Sequence, residues 1–137
     1  MTVSDDTLKE LFNKALDAAK KSYSPYSRFP VGAALLMEDN SIYTGCNVEN
    51  RSYGLTNCAE RTAVFKAVSD GHTSIQAVAI AAPKADYPVG PCGACRQVLT
   101  EFSDGKAKVI FGNKIEKALV KTLEELYPFD SLHELAN

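Results

Sequence analysis

Apolar positions in the first twenty residues recur with a helical period. Leu8, Leu11, Phe12, Ala15, Leu16 and Ala19 follow i, i+3, i+4 spacing, with Asp and Lys between them, and predict an amphipathic helix. Ser4-Asp5-Asp6 supplies N-cap candidates and acidic charge for its first turn. Ser24-Pro25-Tyr26-Ser27 breaks the pattern, and beyond it the period changes. Val31 to Met37 reads as a buried strand, Glu38-Asp39-Asn40 as a turn, and Ile42 to Val48 as the returning strand of a hairpin.

The polar stretch Glu49 to Asn57 is a loop. Ala59 to Val68 predicts a helix with Asn57 as its N-cap and Asp70-Gly71 as its end. Ile75 to Ala82 suits a central strand, and the proline-rich Pro83 to Pro91 a loop. Cys92 to Phe102 is the next helix, Lys108 to Phe111 a strand, and a last strand and short helix fall within Ile115 to Leu126. Strands alternating with helices after an initial hairpin predict an α/β fold, a mixed sheet with helices on both faces.

Composition narrows the class without deciding the chemistry. The 137 residues, 45% hydrophobic and 23% charged, suit one globular domain spanning 1–137, with no repeat or dividing linker. Fifteen basic and 17 acidic residues are well mixed, giving a net charge of -2; no Lys/Arg run suggests a nucleic-acid surface. No stretch approaches the roughly 18 apolar residues of a membrane span. The N-terminus is polar and acidic, unlike a secretory signal, so a cytoplasmic location is expected, with reduced cysteines.

Two short segments carry the chemistry: Cys58-Ala59-Glu60 and Pro91-Cys92-Gly93-Ala94-Cys95. Both fall at predicted helix starts, where free amides and partial positive charge favour the thiolate that zinc requires. Cys92 and Cys95 lie one turn apart and can aim at one ion, with Cys58 reaching it from the neighbouring helix. Three protein ligands leave one position open for water, the arrangement of a catalytic rather than a structural zinc. Glu60, two residues from a ligand, is the candidate proton shuttle.

Three rival readings use the same cysteines, one of them a pure packing role for all four. A thioredoxin-like redox pair would use Cys92 and Cys95 but leave Cys58-Ala59-Glu60 without a role. A closed structural site would recruit Cys46, which instead reads as a small strand residue beside Gly45. Three thiolates on Zn²⁺ sum to -1, which weakens the metal as a Lewis acid. Hydrogen bonds to the sulfurs from Arg61, or from Arg96 and Gln97, would withdraw that density.

Cys-x-Glu followed by Pro-Cys-x-x-Cys resembles the zinc-dependent nucleoside and nucleobase deaminases. The flanking segments Ser27-Arg28-Phe29-Pro30-Val31-Gly32-Ala33-Ala34-Leu35, Gly45-Cys46-Asn47-Val48-Glu49-Asn50 and Asn57-Cys58-Ala59-Glu60-Arg61-Thr62-Ala63, with Cys95-Arg96-Gln97, are similar to the small homotetrameric cytidine deaminases. The resemblance implies a three-layer α/β/α sandwich on a five-stranded mixed sheet. It implies one zinc per chain on Cys58, Cys92 and Cys95, with Glu60 catalytic. It also places Asn47 and Glu49 at the ribose hydroxyls, Phe29 beside the pyrimidine, the backbone of Ala59 at the base and Tyr53 near a neighbouring subunit's site.

The reaction so implied is hydrolytic deamination of cytidine and 2'-deoxycytidine in pyrimidine salvage, without nucleic-acid or membrane partners. A deaminase of another aminated base, such as blasticidin S, and a structural-zinc binding module are the competing functions. His72 and His133 receive no role. Two positions depart from the family's pattern. Arg51 stands where a small residue is usual, and Phe129 follows Pro128 directly rather than a few residues later.

Overall fold

The structure is a computed structural model that describes residues 2–130 and 132–135. Its elements run α1 (Asp5–Ala19), β1 (Gly32–Met37), β2 (Ile42–Cys46), α2 (Ala59–Ser69), β3 (Ile75–Ala81), α3 (Gly93–Glu101), β4 (Lys108–Gly112), β5 (Leu119–Thr122) and α4 (Leu123–Leu126). Short 3₁₀ turns occur at Tyr53–Leu55, Ile115–Lys117 and His133–Leu135. The five strands form one sheet in the order β2-β1-β3-β4-β5. The β3–β4 pair is parallel and the other three pairs are antiparallel.

Alternation along the strands divides the interior in two. Ala33, Leu35, Met37, Val78, Ile80, Val109 and Phe111 face one way, onto Ala59, Ala63, Val64 and Ala67 of α2, Leu99 of α3 and Leu123 of α4. Ala34, Leu36, Ala77, Ala79, Ala81 and Ile110 face the other way, onto Leu8, Leu11, Phe12 and Ala15 of α1. This is the expected α/β/α layering. Most sheet positions under α1 are alanine, so that helix sits close to the sheet. Ser4 caps α1, its hydroxyl accepting from the Thr7 amide at 3.2 Å. Among the described residues no helix is long and apolar enough to cross a membrane.

Three boundaries near the cysteines differ from expectation in ways that matter for the site, while the other ends agree to within one residue. β2 stops at Cys46 rather than Val48, because the chain leaves the sheet edge to pair elsewhere. The Val48 amide donates to the Asn57 carbonyl and the Asn57 amide donates back to Val48, both at 3.0 Å. Asn57 is thereby held in an isolated bridge, and Cys58 takes the N-cap position of α2 with no side-chain cap bond. Likewise Cys92 is the N-cap of α3, not its first helical residue.

Candidate active site

α2 and α3 pack against each other and present their N-termini together. Cys58 precedes α2, Cys92 precedes α3, and Cys95 lies in the first turn of α3. Their sulfurs all lie within 4.8 Å of one another, with Cys58 and Cys92 3.7 Å apart. Two sulfurs bound to one tetrahedral zinc at about 2.3 Å stand about 3.8 Å apart, so the spacing fits that ion. The Cys92 sulfur also accepts from the Cys95 amide at 3.4 Å, as a helix start provides. Cys46 is no part of this trio: it is half-buried on β2, its thiol donating to the Lys21 carbonyl at 3.5 Å.

The electrostatics favour a cation. Hydrogen bonds from Cys95 first, then from Arg61 and Cys92, pull the Cys58 thiol far below its ordinary pKa against the cost of burial. Cys95 is pushed far up, because it donates to the Cys58 sulfur and is buried beside Glu60 and that same sulfur. The protein alone therefore stabilises one thiolate of this pair and opposes the second. A divalent cation removes the conflict.

Glu60 is 4% exposed, in the first turn of α2. Burial pushes its carboxyl up to about 7, and the neighbouring Cys58 adds to the rise. A carboxyl poised near neutrality next to a metal-ligand cluster is suited to take and return a proton.

The Arg61 guanidinium donates from Nη2 to the Cys58 sulfur at 3.3 Å. Its Nε is buried with no partner among the described residues. Bonds to Cys58 and Cys95 raise the pKa of the guanidinium further, so it holds its charge against the sulfurs. Arg96 and Gln97 do not share this role. Arg96 donates from Nε to the Pro91 carbonyl at 2.7 Å and from Nη1 to the Leu126 carbonyl at 2.5 Å. Gln97 accepts from the Tyr127 hydroxyl. Both tie α3 to the segment after β5 instead of reaching a thiolate. Partners 30 residues away leave no local signal for these bonds.

Asn47 and Glu49 lie just past the end of β2 and fasten the 24–31 segment. Asn47 is 8% exposed; its Nδ2 donates to the Phe29 carbonyl, and its Oδ1 accepts from the Val31 amide, both at 2.9 Å, and from the Ser22 hydroxyl. Glu49 accepts from the Tyr26 and Ser27 amides at 2.9 and 3.2 Å and from the Ser27 hydroxyl. These bonds, the hydroxyl's above all, hold its carboxyl below the usual range. Phe29 is half-buried rather than core, Ala59 fully buried, and Tyr53 exposed with its ring 5.9 Å from that of Tyr26.

Residues 5–113 match the cytidine and deoxycytidylate deaminase zinc-binding region. The chain belongs to that family. It is 50% identical over 121 residues to a cytidine deaminase of Sporosarcina psychrophila, spanning 88% of each protein. To one of Halalkalibacterium halodurans it is 52% identical over 118 residues, 86% of this chain and 89% of the relative. The fold agrees with the crystal structure of cytidine deaminase from Burkholderia pseudomallei at a TM-score of 0.84 and 40% identity, covering 93% of this chain and 98% of that one. As a zinc-binding deaminase, the chain offers Cys58, Cys92 and Cys95 as the metal's holders.

Proposed function

We propose that this chain is a cytidine deaminase, one catalytic domain spanning 1–137 that converts cytidine and 2'-deoxycytidine to the uridine forms and ammonia. The observation that carries this reading is a buried Glu60 with its proton affinity raised, beside three convergent cysteine sulfurs, in a chain of the deaminase family. Cys58, Cys92 and Cys95 would hold a zinc ion, which would supply a Lewis acid that brings a water's pKa towards neutrality. Glu60 accepts a proton from the attacking water and delivers it to N3 of the pyrimidine. It then relays the water's second proton to the amine, which leaves C4 as ammonia. Atoms balance: the C4–N bond breaks, a C4–O bond forms, and Glu60 is restored.

Phe29 packs beside the base, the Ala59 backbone contacts it, and Asn47 and Glu49 meet the sugar hydroxyls. Tyr53, 75% exposed, serves a neighbouring subunit's site in a homotetramer. Phe65 and Leu55, also exposed, supply apolar surface for that assembly. The enzyme works in the cytoplasm, in pyrimidine salvage.

Ultraviolet-monitored turnover of cytidine, 2'-deoxycytidine, free cytosine and blasticidin S tests the reading, with zinc content and mass in solution measured on the same sample. Both nucleosides are expected to react, the other two not, with one zinc per chain and a tetramer mass. A zinc-loaded protein that releases no uridine from cytidine would overturn it.

Arg61 tunes the metal through the Cys58 sulfur. Arg61→Gln is expected to lower zinc affinity or turnover by roughly 10- to 100-fold, the usual loss when a group orienting a metal ligand is removed. Zinc titration against a chelator and steady-state kinetics check this. Wild-type values in both would remove Arg61 from the site's electrostatics.

A further inference from the structure

The sugar and base recognition assigned above share one hydrogen-bonded frame, and Ser27 is its joint. The Ser27 hydroxyl donates to Glu49 Oε2 and accepts from the Phe29 amide at 3.1 Å. On the far side of the same residue, the Phe29 carbonyl accepts from Asn47 Nδ2 at 2.9 Å. Phe29 is thus gripped at its N–H through Ser27 and Glu49, and at its C=O by Asn47. Both grips originate on the strand extension that would meet the ribose.

The chain between them is not relaxed. Arg28 adopts a left-handed conformation, φ 58°, which a non-glycine residue holds only when its surroundings impose it. Its amide donates to the Ser24 carbonyl at 2.9 Å, closing the turn that places Phe29. Ser27 itself is exposed, so no core packing accounts for its place. Its hydroxyl is what connects the carboxylate to the aromatic residue's backbone.

We infer that Ser27 is a positioning residue for substrate recognition: its hydroxyl sets the Glu49 carboxylate and the Phe29 ring in one geometry, so that sugar and base are recognised together. This rests on the cytidine deaminase reading. Without the Ser27 hydroxyl Glu49 keeps only its two amide donors, both on Oε1, and Oε2 is left unheld. Phe29 without Ser27 loses one of its two grips. Both losses act on binding, whereas Glu60 and the cysteines lie on other elements and keep their geometry.

The test is Ser27→Ala, with Ser27→Thr as the variant that keeps the hydroxyl. Ser27→Ala is expected to raise KM for cytidine about tenfold, the scale of one hydrogen bond to a charged group, with kcat within about twofold of wild type. The kcat/KM preference for cytidine over 2',3'-dideoxycytidine should shrink in Ser27→Ala, because the group that reads the sugar is no longer aimed. Ser27→Thr should restore KM and preference together. Unchanged KM and preference in Ser27→Ala, with an active wild type, overturn the inference alone; so does a fall in kcat that tracks lost zinc or lowered Tm. A wild-type protein inactive on cytidine removes the functional reading and this inference with it.

Discussion

Glu60→Gln is expected to keep zinc and to lose kcat by about 100- to 10,000-fold, the range for removing a general acid–base group. Gln is nearly isosteric and still hydrogen-bonds, so the cysteine cluster should stay in place. It cannot, however, carry a proton from water to N3 or to the amine. The same variant should stabilise the metal-free protein. The Glu60 carboxyl titrates near 7 in the fold, above its ordinary 4.5. Below pH 4.5 it is protonated folded or unfolded and has no effect on stability. Between 4.5 and 7 the unfolded chain ionises first, so Glu60 gives the metal-free wild type a stability slope that falls as pH rises, about 3 kcal/mol in total, set against the opposite slope of the Cys58 thiol. Glu60→Gln should flatten that slope and raise Tm at pH 8 by several degrees. Metal analysis, steady-state kinetics and thermal melts of the chelated protein between pH 5 and 8 check these outcomes. Wild-type kcat in a zinc-loaded variant would remove Glu60 from the chemistry.

Much of this site is legible from local sequence. The hydrophobic period located α1, and the alternation of apolar runs with helical patterns predicted the mixed sheet and its two helical layers. The cysteine spacing placed Cys92 and Cys95 on one turn because an α-helix brings i and i+3 to one face. Arg61 was accessible in the same way: three residues after Cys58, it returns to the sulfur at the helix start. What escaped the sequence depends on contacts between distant segments. Asn57 is a good N-cap by residue type, yet its backbone is already engaged by Val48, and the cap position passes to Cys58. Gln97 follows a ligand directly, yet its partner is Tyr127, across the fold. Asn47 and Glu49 share strand parity, but nothing local shows that their first partners are the backbone and hydroxyls of 22–31.

The strongest dependence of fold and site on single residues lies at two glycines. A Cβ on Gly32 of β1 would stand 1.9 Å from the Ala15 carbonyl oxygen and 2.4 Å from the Ala19 nitrogen of α1. A Cβ on Gly45 of β2 would meet the Ala63 nitrogen of α2 at 2.5 Å and the Ala59 oxygen at 2.7 Å. In each case the obstacle is helix backbone, which cannot rotate away as a side chain can, so the whole helix must lift from the sheet. Gly32→Ala is expected to destabilise by more than about 4 kcal/mol, in the class of severe overpacking, and to yield little folded protein. Gly45→Ala should cost less stability and more function. α2 begins with Cys58 and Glu60, so displacing that helix moves a metal ligand and the proton carrier away from Cys92 and Cys95. Gly54→Ala is the control, since its Cβ would meet nothing within 4 Å. Thermal melts with zinc content separate the effects. Gly32→Ala should lose its cooperative transition, Gly45→Ala should melt lower and hold less zinc, and Gly54→Ala should match wild type. A Gly45→Ala protein with full zinc and full turnover would mean that α2 can lift from β2 without carrying its N-terminus away from α3.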